Sequence, residues 1–226
     1  MAAKTKIPAK RLLIVDDHPM MRTGLAQLID NEDDLKVCAE ADNAGQALNA
    51  VAKQKFDLAL VDISLPDKSG LELIKDIRTL NTELPILVVS MHDEMIYAER
   101  VLRAGARGYI MKQEGGEKFL QAIRQVLAGR VFVSEKMSAR ILENFSGGPA
   151  EHSGPPVQEL SDREFEVFQL IGQGVGTSHI AGRLRLSVKT VEAHRKSIKR
   201  KLKLVTATDL VRYAIRWLDA QGRAGE

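Results

Sequence analysis

Cysteine is nearly absent: Cys38 is the only one in 226 residues. Without a second cysteine no intrachain disulfide can form, which excludes a disulfide-stapled secreted scaffold and suits a reducing compartment. Long apolar runs are missing as well, and none approaches the roughly 20 residues that a membrane-spanning helix needs. The opening MAAKTKIPAK is polar and lysine-bearing and lacks the apolar stretch of a secretory signal. The expectation is a cytoplasmic protein with no membrane partner. There is no internal repeat, and neither sign of charge dominates, with 33 Lys and Arg against 30 Asp and Glu. What is present, 44% hydrophobic and 28% charged residues, is enough for two modest domains with real cores.

The charge is unevenly placed. Residues 1–150 hold 20 basic and 21 acidic side chains, whereas 151–226 hold 13 and 9. Between Arg183 and Lys203 nine basic residues stand against one acid, Glu192, a concentration suited to a polyanion or, more plainly, to a solvated helix face.

The first two-thirds alternates short apolar runs with segments of helical period. LLIV, VCAEA, LALV, ILVVS and GYIM predict five strands, and the stretches between them predict helices. Such alternation implies an α/β fold with a doubly wound, five-stranded parallel sheet. A short helical pattern over 134–145 then leads into SGGPAEHSGPPVQ, whose Gly, Pro and Ser content reads as a linker. Four further helical segments follow without a strand, giving a small all-α domain. Ser161 with Glu164 fits a capping box for the first of them, and Thr206 with Asp209 for the last.

Polar residues cluster at the predicted strand ends: Asp16 and Asp17, Asp62, Ser90 and Lys112. In a parallel sheet these meet at one edge, where ligands bind. Three crowded carboxylates repel one another unless a cation intervenes, and a hard oxygen-seeking ion such as Mg²⁺ is the natural one. The set supports phosphoryl transfer onto Asp62, with Lys112 supplying positive charge and Ser90 a hydrogen bond. Read singly, each has a plainer use: turn acids, a helix-capping serine, a solvated lysine.

The pattern resembles the receiver domain of two-component response regulators over about residues 9–130. The resemblance rests on DD at 16 and 17, Asp62 in LALVDISLPDKSG, Ser90, and Tyr109 and Lys112 in GYIMK. It implies a flavodoxin-like fold and Mg²⁺ held by Asp17, by Asp16 mostly through water, by Asp62 and by the backbone carbonyl of Ser64. It also implies Asp62 as phosphoacceptor and Ser90 with Tyr109 as a switch pair whose ring turns inward. The family often has Lys-Pro with a cis bond after its lysine; here Gln113 follows Lys112, and a trans bond is expected.

Residues 158–220 are similar to the LuxR-type helix-turn-helix, through LSDRE at 160–164, IAGRL at 180–184 and LSVKTVEAHRKSI at 186–198. By family position Glu192, Ala193 and Lys196 face bases, while Lys189, Thr190, Arg195 and Lys199 hold the DNA backbone. Glu192 either accepts from a cytosine or pairs with Lys196. The family's usual Ser-Asn-Lys-Glu run is replaced by GVGTSHIA, so helix entry there is expected to differ.

Receiver at 9–130, linker with a short helix at 131–157 and reader at 158–220 together resemble a NarL/FixJ-type response regulator. That implies a DNA-binding transcription factor, not an enzyme beyond its own phosphoryl chemistry, with Mg²⁺ as cofactor. Its partners would be double-stranded DNA, a cognate sensor histidine kinase and a second copy of itself on activation. The last helix offers Leu210, Val211, Ala214 and Trp217 either as a dimer face or as internal packing. Two rivals stand beside it: a constitutive DNA binder whose receiver serves only protein contacts, and a dehalogenase-like phosphatase acting from Asp16, which fits poorly because the acids are adjacent.

Overall fold

The computed structural model describes residues 8–145, 156–184 and 186–223, in two compact units divided between Leu142 and Glu143. In the first unit strands β1 (Lys10–Val15), β2 (Leu35–Ala41), β3 (Leu58–Val61), β4 (Ile86–Ser90) and β5 (Gly108–Met111) alternate with helices. The helices are α1 (Pro19–Asp30), α2 (Ala44–Lys53), α3 (Gly70–Leu80), α4 (Glu94–Ala104), α5 (Gly116–Leu127) and α6 (Glu135–Phe145), whose last three residues lie past the division. All strand pairs are parallel, in the order β2-β1-β3-β4-β5.

Every residue of β3 and β4 is buried, which is why LALV and ILVVS are continuous apolar runs instead of alternating ones. One face of the sheet, through Leu12, Ile14, Leu58, Leu60, Leu87 and Val89, packs with Leu25 and Ile29 of α1 and with Phe119, Ile123 and Val126 of α5. The alternate residues Leu13, Val15, Ala59, Val61 and Val88 are equally buried, with α2, α3 and α4 packed side by side. Each such side chain contributes roughly 1.5–3 kcal/mol. Side chains of Asn43, Ser69 and Asp93 cap α2, α3 and α4, satisfying donors that the first helical turn leaves open.

The strand order reverses between β1 and β3, which opens a crevice at their carboxyl ends. At the far edge the chain after α5 returns to β5. Tyr109 N donates to Phe132 O at 2.8 Å and Phe132 N to Arg107 O at 3.1 Å, while the Phe132 ring joins the core. Ser134 N donates to Glu94 Oε1 at 2.7 Å and Arg140 Nη1 to Met95 O at 3.1 Å, tying the α6 segment to α4.

The second unit comprises a 3-10 turn (Pro156–Glu159), α7 (Asp162–Gly172), α8 (Thr177–Arg183), α9 (Val188–Lys201) and α10 (Ala207–Arg223). Both capping boxes form: Ser161 with Glu164, and Thr206 with Asp209, whose Oδ2 accepts from Thr206 N at 2.9 Å. Helix α8 follows Gly176 at its N-cap, with no side-chain cap. Leu210 and Ala214 are fully buried. Trp217 packs edge-on against Phe165 and Phe168, with ring centroids 5.6 and 5.5 Å away. Leu210 and Ala214 belong to the unit's own core and one side of Trp217 packs on it, while Val211 and Trp217 are each half-buried. The SGGPAEHSGP part of the linker lies outside the described residues.

Two backbone features carry testable consequences. A methyl group on Gly70 would stand 2.3 Å from Asp62 O and 2.6 Å from Ile63 Cα, so Gly70→Ala is expected to cost about 1–3 kcal/mol by overpacking. Lys203 closes α9 at φ +55°, a left-handed position where glycine is the usual residue. Lys203→Gly is therefore expected to stabilise by up to roughly 1 kcal/mol. Urea unfolding of the full chain, followed by far-ultraviolet circular dichroism, checks both signs.

Candidate functional site

The crevice at the strand ends collects every residue that the sequence placed there. Asp16 and Asp17 follow β1, Asp62 follows β3, Ser90 ends β4 and Lys112 follows β5. The ladder extends one residue past the strands and fixes their backbones: Asp16 N donates to Ala41 O at 3.0 Å, Asp62 N to Val15 O at 2.8 Å and Lys112 N to Ser90 O at 2.8 Å. The peptide bond after Lys112 is trans, since no cis bond occurs among the described residues.

Asp16 and Asp62 are each 2% exposed. Lys112 Nζ donates to Asp62 Oδ2 at 2.8 Å and lies 2.7 Å from Asp16 Oδ2. Burial pushes the Asp62 carboxyl above its ordinary range, and the lysine only partly offsets this. Burial alone would lower the Lys112 ammonium, but hydrogen bonds to Asp16 and Asp62 raise it. One fixed positive charge therefore holds together carboxylates that would otherwise repel. The other oxygen of Asp62 accepts from Ser64 N at 3.2 Å.

Three further residues belong to the site. His18 Nδ1 lies 2.8 Å from Asp17 Oδ1 and 3.3 Å from Asp16 Oδ1, and Arg22 Nη1 donates to Asp16 O at 2.7 Å. His18 is adjacent to the acid pair in DDHPMMR, and Arg22 follows one helical turn after His18. His92 is the third. Its N donates to Ser90 Oγ at 3.1 Å, its carbonyl accepts from the Tyr109 hydroxyl at 2.7 Å, and its Nε2 pairs with Ser64 Oγ at 2.9 Å. The ring stacks on Tyr97 at 4.7 Å. Burial, then the charge of Lys112, lowers its pKa. Tyr109 is 1% exposed, its ring inside the fold and its hydroxyl raised well above the ordinary range by burial.

The donor set fits a hard divalent ion. Ligand atoms from Asp16, Asp17, His18 and Asp62 all lie within 4.8 Å of one another. Asp16 Oδ2, beside Lys112 Nζ, and Asp17 Oδ1, beside His18 Nδ1, are both buried oxygens, and clustered carboxylate oxygens are what Mg²⁺ takes.

In the second unit α9 presents Lys189, Glu192, Ala193 and Lys196 exposed, with Thr190 and Lys199 half-buried. Arg200, also exposed, extends that face. Two pairings differ from expectation. Glu192 meets Arg195 at 3.7 Å, not Lys196. Arg195 turns inward to Thr177 Oγ1 at 3.4 Å, because the short, uncapped α8 leaves a polar first turn within its reach. Thr190 is engaged with the α9 cap, its Oγ1 2.7 Å from Ser187 Oγ.

Receiver-type acid chemistry on a five-stranded sheet, joined to a helix-turn-helix, defines a phosphorylation-type DNA-binding regulator. Residues 12–124 match the response regulator receiver domain and 158–214 the luxR family of bacterial regulatory proteins. The chain belongs to the LuxR-type response regulators, a family of DNA-binding proteins and not of classical enzymes, so the phosphatase reading falls away. It is 37% identical over 212 residues to the oxygen regulatory protein NreC of Staphylococcus haemolyticus, covering 91% of this chain and 97% of that one. The Staphylococcus carnosus NreC is 35% identical over 210 residues, with the same coverage. RcsB from Salmonella enterica serovar Typhimurium, solved on the rprA promoter with phosphomimetic BeF3-, is 25% identical with a TM-score of 0.69, covering 91% of this chain and 98% of that one. Among the described residues no helix is long and apolar enough to cross a membrane.

Removing Lys112 tests the electrostatics. Lys112→Met leaves buried carboxylates without their counter-charge and is expected to lower stability by about 3 kcal/mol. In urea titrations with and without Mg²⁺, the ion should stabilise this variant more than the wild type. Equal Mg²⁺ effects would contradict the role given to the lysine.

Proposed function

We propose that the chain is a cytoplasmic transcription factor controlled by phosphorylation of Asp62 by a sensor histidine kinase. The receiver occupies residues 9–130, the connecting segment 131–157 and the DNA reader 158–220. The observation that carries this reading is the Lys112 ammonium seated 2.8 Å from Asp62 and 2.7 Å from Asp16 at the mouth of the sheet.

In the proposed reaction an Asp62 carboxylate oxygen attacks the phosphorus of a phosphohistidine. The O–P bond forms as the N–P bond breaks, and the imidazole leaves with the electron pair. Asp16, Asp17, Asp62 and the Ser64 carbonyl would hold Mg²⁺, which when bound neutralises phosphoryl oxygens. Lys112 then transfers its attention from a carboxylate to the phosphoryl group it helps to orient. Ser90 hydrogen-bonds a phosphoryl oxygen, and Tyr109 holds the loop through the His92 carbonyl. The phosphorylated receiver favours a conformation that dimerises, so that two α9 helices meet two half-sites. Glu192, Ala193 and Lys196 face bases. Lys189, Thr190 and Lys199 meet phosphates, and Arg195 joins them by leaving Thr177.

Light scattering tests this with wild type and Asp62→Ala, in Mg²⁺ with and without beryllium fluoride. The expected result is a monomer-to-dimer shift in the wild type alone. A dimer in all four samples, with DNA binding unaffected by the fluoride, would support the constitutive binder instead.

A further inference from the structure

The nine basic residues of the Arg183–Lys203 stretch read as one DNA-facing array, and Lys201 does not fit that reading. Its Nζ lies 2.7 Å from Glu164 Oε2 and 3.1 Å from the Glu159 carbonyl oxygen. At about 100° per residue, Lys189, Glu192, Ala193, Lys196 and Lys199 share an arc of about 120° on α9. Lys201 falls about 140° from the centre of that arc, on the side turned to α7.

Glu164 is built for the same contact. It is 6% exposed and sits in the first turn of α7, where its carboxylate accepts from Ser161 N at 2.7 Å as the acid of the capping box. Burial would raise its pKa, but hydrogen bonds from Lys201, from Ser197 and from the Ser161 cap outweigh it and bring it to about 2. The charge is therefore present at any physiological pH. Ser197 and Lys201 are one turn apart on α9, so a single carboxylate grips the helix at two points. The preceding residue grips its neighbour: Arg163 Nη2 donates to Leu184 O at the C-terminal end of α8 at 2.7 Å, and Nη1 donates to Glu166 at 2.7 Å.

We infer that the first turn of α7 is a clamp that sets how α9 is presented to DNA, with Glu164 and Lys201 as positioning residues and Lys201 not a phosphate contact. The inference rests on the reading of α9 as the DNA-facing helix. It predicts that loss of the clamp weakens binding without reducing the number of phosphates neutralised. Each phosphate contact contributes about 0.9 to the slope of log affinity against log salt, so slope and affinity separate the two roles.

The test uses the full chain with Mg²⁺ and beryllium fluoride and a duplex enriched from a random-sequence pool by the wild type. Glu164→Gln keeps a side chain suited to the capping box but removes the charge; Lys201→Met removes the partner; Lys201→Arg restores it. The first two should bind at least tenfold more weakly with the wild-type salt slope, and Lys201→Arg should stay within threefold of wild type. Lys196→Met serves as the contrast and should lower the slope by about 0.9. Without DNA, amide exchange over 199–202 should quicken at least tenfold in Glu164→Gln, with the amides of β3 unchanged. A slope lowered by about 0.9 in Lys201→Met would make Lys201 a phosphate contact and overturn the inference. Unchanged affinity and unchanged exchange in Glu164→Gln would overturn it equally. If the wild type enriches no duplex, the DNA-facing reading of α9 fails, and the exchange comparison still decides whether the clamp exists.

Discussion

One ammonium group between two buried carboxylates is the interaction on which the receiver half depends. Asp16 and Asp62 stand on neighbouring strands because β1 pairs with β3, and both are sealed from water. Buried like charges at that spacing would open the sheet edge if left alone. Lys112 answers them from β5, two strands away from β3, so all three strand ends must be in register for the charges to balance. The site is thus a check on the fold: its electrostatics are satisfied only by the assembled sheet. The cost of a carboxylate so placed is also its use, since a group made uncomfortable as an anion gains from anything that brings more positive charge to it.

Most of the sheet was legible because its signals are local. Continuous β-branched runs have to be buried on both faces, and polar residues that interrupt them at their ends have to sit at the edge of the sheet. The acids, Ser90 and Lys112 could therefore be placed together before any coordinate was known. His92 was not legible in the same way. Its contacts with Ser90, Ser64, Tyr97 and Tyr109 come from three segments, and nothing in SMHDE distinguishes a loop histidine from a packed one. His18 does carry a local signal, adjacency to the acid pair, and Arg22 follows one helical turn after it.

The helical half shows the opposite limit. Helical spacing assigns a residue to a face of its own helix, yet it does not say which neighbour lies across from that face. Arg195 and Lys201 belong by composition to a basic array, and each is turned to a partner inside the unit. Leu210, Ala214 and Trp217 form an apolar stripe that serves equally for a core or for a dimer. The aromatic contacts with Phe165 and Phe168 show that the core claims one side of Trp217. Charge counts taken from the chain overstate the charge available to a polyanion whenever a buried acid such as Glu164 claims a share.

The return of the chain along β5 has a consequence for assembly. A parallel sheet has two rims, and an unpaired rim can recruit a strand from another molecule. Here Phe132 occupies the β5 rim with its own backbone hydrogen bonds, while β2 at the other rim carries Lys36 and Glu40 and pairs with β1 through an irregular register. Neither rim invites strand exchange. That leaves helix surfaces and loops, the parts of the receiver that can shift without unzipping the sheet, as the ground for contact with other molecules.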